Sequence, residues 1–140
     1  MLTNHHDKVS LLIVDDDAAI RYLVEAAANR AGIFSPIATA PDGRAALEWL
    51  GSLPPHERPE LVVSDLSMPR MTGMDLLRAI KRDAALDGIQ VGIITSSDLP
   101  TDRDEALAAG ACAFLSKPLR LDDFVRALKE IDHCRQQQAA

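Results

Sequence analysis

Apolar positions along the chain follow two patterns that take turns. Short apolar runs at Val9–Val14 (VSLLIV), 34–39, Leu61–Ser64, 89–94 and 112–115 read as strands. Between them, apolar residues recur at helical spacing. Ala18–Ala31 carries Ile20, Leu23, Val24 and Ala27 on one face, and Gly32 stands where a helix-ending glycine belongs. The stretches 42–50, Gly73–Arg82, 102–109 and 121–134 repeat that pattern, and Gly110 follows the fourth as Gly32 follows the first. Residues 52–59 form a loop with three prolines.

Strict strand–helix alternation predicts an α/β domain with a parallel sheet covered by helices on both faces. The runs 11–14, 61–63 and 91–94 are apolar without alternation, as expected of strands buried on both faces. Pro36 lies inside the second run, and proline is tolerated at a sheet edge but rarely at its centre. A doubly wound (βα)5 sheet in the order 2-1-3-4-5 satisfies both constraints.

In such a sheet, ligands bind beyond the carboxyl ends of the strands, where the strand order reverses. The first strand runs into Asp15-Asp16-Asp17, the third into Asp65, the fourth into Thr95-Ser96-Ser97 and the fifth into Ser116-Lys117-Pro118. Carboxylates gathered on one rim repel unless a cation intervenes. Magnesium suits them, being hard, oxygen-seeking and content with one or two carboxylates. A carboxylate beside Mg²⁺ and a lysine suits phosphoryl transfer, with the carboxylate itself as nucleophile. Asp17, just before the first helix, reads as its N-cap.

Composition narrows the field. The chain has 140 residues, 47% of them hydrophobic, enough for one domain with a substantial core. Its 15 Lys and Arg against 21 Asp and Glu leave a net charge of −6, which argues against a nucleic-acid surface. The longest apolar run is about five residues, too short to span a membrane. The polar start, with no apolar signal segment, and two cysteines, Cys112 and Cys134, suggest reduced thiols in the cytoplasm. The expected domain spans 8–133, with 1–7 and 134–140 as flexible termini.

The segments LLIVDDDAAIR (11–21), LVVSDLSMPRMTGMDLL (61–77), VGIITSSD (91–98) and GACAFLSKPL (110–119) together resemble the receiver domain of two-component response regulators, with its CheY-like, flavodoxin-type arrangement. The resemblance implies that Asp65 accepts a phosphoryl group from a histidine kinase or histidine phosphotransfer protein. It implies Mg²⁺ on Asp15, Asp16, Asp65 and the Ser67 backbone carbonyl. Lys117 would pair with the phosphoryl oxygens. Thr95 and Phe114 would form the switch, small Ser96 would leave access for the phosphoryl group, and Pro118 would follow a cis peptide bond. Such a chain is no enzyme in the ordinary sense, catalysing only its own phosphorylation and dephosphorylation.

The resemblance also implies a downstream protein partner, or a second copy, on the face of helix 4, strand 5 and helix 5, where Leu99, Leu107 and Leu121 fall. With Ser67 and Ser97 flanking the site, a long-lived phosphoryl state is expected. Thr72 and Gly92 depart from the usual pattern. Two alternatives remain: a receiver fragment of a longer regulator or hybrid histidine kinase, and, more remotely, a haloacid-dehalogenase-like phosphatase using Asp15 and Asp17 as a D-x-D pair.

Overall fold

Leu11, Leu12, Ile13 and Val14 are each 1% exposed or less, and alternate residues of this one strand feed two separate cores. The computed structural model describes residues 8–139. Its elements are β1 (Val9–Val14), α1 (Ala18–Ala31), β2 (Phe34–Ala40), α2 (Gly43–Ser52), β3 (Leu61–Ser64), α3 (Gly73–Arg82), β4 (Gln90–Thr95), α4 (Pro100–Ala108), β5 (Ala113–Ser116) and α5 (Leu121–Ala139). A short 3-10 turn covers Pro55–Glu57. The five strands are all parallel and lie in the order β2-β1-β3-β4-β5. Pro36 thus sits on an edge strand, as its missing N–H demands.

On one face, Leu12, Val14, Val62, Val91 and Ile93 pack against Leu50 of α2, Leu76, Leu77 and Ile80 of α3, and Ala106 of α4. On the other, Leu11, Ile13, Leu61, Val63 and Ile94 meet Val24 and Ala27 of α1 and Phe124, Leu128 and Ile131 of α5. Gly92 belongs to this second face. A Cβ there would lie 2.7 Å from Ile131 Cγ2, so the glycine admits α5 against β4.

Helix ends follow the expected chemistry. Asp17 caps α1, accepting from the Ala19 and Ile20 amides at 2.9 and 3.3 Å, and Gly32 ends it at φ 74°. Asp42 caps α2 through the Ala45 amide at 2.8 Å. Thr72 and Asp75 form a reciprocal capping box on α3, which accounts for Thr72 at that position.

Three expectations are corrected. Helix α4 begins at Pro100, two residues before the expected start, because proline at the first helical position is pre-set for the turn. Asp102, in the first turn of α4, accepts a hydrogen bond from the Ser97 hydroxyl. Helix α5 continues to Ala139, past the expected end at 134. There Asp132 accepts from Arg135 Nε at 2.8 Å and Gln136 Nε2 at 2.9 Å, and these side-chain bonds support turns that carry no apolar periodicity. The third concerns Pro118. Among the described residues the cis peptide bond is Ser35–Pro36, and Lys117–Pro118 is trans. Trans is the cheaper form for any X–Pro bond, and with it Lys117 already donates its amide to the Thr95 carbonyl at 2.8 Å and its ammonium to both acids. The expected flexible segment 1–7 lies outside the described residues.

Candidate functional site: an acidic pocket at the sheet's carboxyl edge

Register alone brings the strand ends together. Val14 of β1 pairs with Ser64 of β3, so Asp15 and Asp65 emerge side by side, and the Asp65 amide donates to the Val14 carbonyl at 3.0 Å. Carboxylate oxygens of Asp15, Asp16 and Asp65 all lie within 4.8 Å of one another. Asp15 and Asp65 are buried, and Asp16 is exposed at the mouth. Lys117, from the end of β5, places its Nζ 3.0 Å from Asp65 Oδ2 and 3.2 Å from Asp15 Oδ2.

The two buried carboxylates are held from behind by backbone. Asp15 Oδ1 accepts from the Asp17 amide at 2.9 Å, and Asp65 Oδ1 accepts from the Leu66 amide at 2.7 Å and more distantly from Ser67 at 3.4 Å. Asp65 Oδ2 faces Lys117.

The apolar floor beneath the pocket, including Ile13, Val24, Ile94 and Phe124, sets its electrostatics. Burial raises the Asp15 carboxyl above its ordinary value, with the Asp65 charge adding to the rise. The Asp17 amide and the Lys117 charge offset this only in part. Burial pulls the Lys117 ammonium down, but its contacts with Asp65 and Asp15 outweigh that, and its pKa ends above the ordinary lysine value. The pocket thus holds more negative charge than one lysine balances, at a place where water cannot fully screen it. The donors are hard carboxylate oxygens, part buried and part open, the set a hard dication with retained waters takes. The residues present fit Mg²⁺.

Thr95 ends β4, is 1% exposed and is paired in register with Ser116. Its Oγ1 accepts from the Ser97 amide at 3.2 Å. Phe114 is buried on β5, and its carbonyl accepts from Arg103 of α4 at 3.1 Å. Ser96, just after β4, and Ser67, whose amide lies 3.4 Å from Asp65 Oδ1, are exposed. The Asp17 carboxylate is occupied in capping α1, so a D-x-D phosphatase pair has lost its second acid.

Two further residues inside the quoted segments hold the backbone of the acids. Arg21 donates from Nη1 to the Asp15 carbonyl at 2.7 Å. Gly73 packs against the Asp65 backbone, and a Cβ there would stand 2.2 Å from the Asp65 carbonyl oxygen. Neither could be read from periodicity, since the first contact spans six positions and the second eight. Elsewhere, His56 and His133 are exposed, Cys112 is buried, and the Asp15–Asp16–Asp65 group is the metal-capable cluster among the described residues.

A doubly wound sheet with buried acids and a lysine at its reversal point defines a class, and comparison with known proteins agrees. Residues 11–129 match the model of the response regulator receiver domain. The two-component response regulator ARR17 of Arabidopsis thaliana is 32% identical over 142 residues, covering 96% of this chain and 92% of that protein. Among solved structures, the chemotaxis response regulator CheY4 of Vibrio cholerae superposes with a TM-score of 0.75 at 28% identity, covering 89% of this chain and 98% of that one. The Mn(2+)-bound form of response regulator Rcp1 gives 0.74 at 26% identity, covering 89% and 91%. The chain belongs to the receiver-domain family of two-component response regulators, and its role is in phosphorelay signalling. No helix among the described residues is long and apolar enough to cross a membrane.

Proposed function

We propose that Asp65 is the phosphoryl acceptor, taking the group from a phosphohistidine of a histidine kinase or histidine phosphotransfer protein. An Asp65 carboxylate oxygen attacks phosphorus, the P–N bond breaks, and the histidine leaves carrying a proton. The single observation behind this reading is the triad of carboxylate oxygens within 4.8 Å, one of them 3.0 Å from Lys117 Nζ. Asp15, Asp16, Asp65 and the Ser67 carbonyl would hold Mg²⁺, which when bound neutralises charge on the equatorial phosphoryl oxygens. The manganese in Rcp1 supports a divalent ion here. Lys117 then shifts its donors from Asp65 to the phosphoryl oxygens. The Thr95 hydroxyl, now satisfied by an amide, turns to them as well, and Phe114 follows by packing.

Ser97 donates its hydroxyl to Asp102 and does not present it to the site, so neither it nor exposed Ser67 orients an attacking water. The acyl phosphate is therefore proposed to outlast seconds. The output face is assigned to α4, β5 and α5, where Leu99 and Leu107 are exposed and Leu121 is half-buried, for a downstream protein or a second copy. The exchange is assigned to the cytoplasm, which suits two unpaired cysteines.

The test is labelling with radioactive acetyl phosphate. Wild type should take up phosphate only with Mg²⁺ present, and Asp65→Asn should take up none. Wild-type yield from Asp65→Asn would refute the assignment.

A further inference from the structure

Arg21 lies in the first turns of α1, where its amide donates to the Asp17 carbonyl at 2.9 Å. Its side chain folds back toward the strand end. There Nη1 donates to the Asp15 carbonyl at 2.7 Å, in a partly buried contact. That carbonyl belongs to the peptide group joining Asp15 to Asp16, so the guanidinium fixes the plane between the two acids. The Asp15 carboxylate has its own restraints in the Asp17 amide and Lys117. The Asp16 carboxylate has no hydrogen bond to it among the described residues, yet it lies in the cluster. What aims it is backbone, and the peptide before it is held by Arg21.

We infer that Arg21 is a positioning residue for divalent-cation binding: it locks the Asp15–Asp16 peptide so that both carboxylates enter the cluster together. This rests on the proposed Mg²⁺ site.

Charge and geometry make opposite predictions for this residue. A guanidinium beside a cation site repels the cation, so a purely electrostatic role means that removing it tightens Mg²⁺ binding. A positioning role means that removing it loosens binding, because groups that orient metal ligands typically carry 10–100-fold in affinity. A role only in helix stability would lower the melting temperature and leave affinity alone.

Mg²⁺ alone is titrated calorimetrically into the full chain, as wild type, Arg21→Met, Arg21→Lys and Asp16→Asn, with a thermal melt of each. Arg21→Met should bind about tenfold more weakly than wild type. Arg21→Lys keeps the charge but not the planar reach, and should fall between them. Equal or tighter binding by Arg21→Met overturns the inference. Should Arg21→Met fail to fold, Arg21→Lys carries the test, and wild-type affinity in it overturns the inference. Asp16→Asn separates the two levels. If it binds Mg²⁺ as wild type does, or if wild type binds none, the metal site itself is wrong and the role of Arg21 falls with it.

Discussion

Gly73 opens α3 and touches the loop that carries Asp65, and replacing it with alanine tests how rigidly that loop is held. A Cβ at this position would stand 2.2 Å from the Asp65 carbonyl oxygen and 2.9 Å from Leu66 Cα. Ordinary carbon–oxygen contact begins near 3.3 Å, so the two backbones must part by roughly 1 Å. Neither is free to move. The Gly73 amide donates to the Leu66 carbonyl at 2.8 Å, the Ser64 hydroxyl donates to the Asp65 carbonyl at 2.8 Å, and the Asp65 amide is fixed to β1. Both obstacles are backbone, so no rotamer change relieves them.

Stretching the Gly73–Leu66 bond costs about 0.5–1.5 kcal/mol, and the overpacking adds about 1–3 kcal/mol. At about 3 °C per kcal/mol for a domain of this size, Gly73→Ala should melt roughly 5–13 °C below wild type. A shift of roughly 1 Å in the proposed acceptor can also cost on the order of a hundredfold in rate. Initial phosphorylation by acetyl phosphate, measured well below the melting range, should fall accordingly. Gly51→Ala is the control. It lies in α2 with nothing within 4 Å of a Cβ, so it should leave the rate alone and gain a little stability, since glycine in a helix costs about 0.5–1 kcal/mol against alanine. A Gly73→Ala protein that melts and phosphorylates like wild type would refute the steric argument.

Gly92→Ala should destabilise by about 1–3 kcal/mol through Ile131, and adding Ile131→Ala should cost less than the two singles sum to, a coupling that denaturant melts would reveal. Asp15→Asn should melt higher than wild type near pH 7 without divalent ions. Burial raises the folded-state pKa of Asp15, so its contribution favours the fold only at low pH and is lost as the pH climbs through that raised value. The advantage of the variant should therefore shrink as the pH falls into the carboxylate range. Burial, reinforced by neighbouring Cys134, pushes the Cys112 thiol up to about 11, so a thiol reagent at pH 8 should react with half-buried Cys134 and leave Cys112 untouched until the fold opens.

The central strands were legible because a strand buried on both faces has to be apolar throughout, and the edge was legible because Pro36 excludes a central place. Asp15, Asp16, Asp65 and Lys117 could be placed because each directly follows a strand, and a parallel sheet delivers all strand ends to one rim. Other features depend on atoms that one-dimensional patterns do not carry. Ile131 fills the space left by Gly92 from 39 positions away. Gly73 has an ordinary backbone conformation and is needed for room alone, which composition cannot signal. The start of α4 was legible in principle, since Leu99-Pro100 is an entry signal, but the residues after it are only weakly patterned and mark no sharp boundary. The peptide before Pro118 shows the opposite hazard: a feature carried by resemblance, where the local bonds are already satisfied in trans.

The Lys117 ammonium closes contacts across 102 positions to Asp15 and 52 positions to Asp65. Closing such loops is entropically costly and gains nothing until the intervening strands have paired. A chain still emerging from the ribosome, or one opened by heat as far as β5, has Asp65, the proposed acceptor, but not its lysine. It would present an aspartate without the paired ammonium that the folded site supplies. Under the proposed assignment, competence to receive a phosphoryl group would thus report that the carboxy-terminal third of the domain has docked.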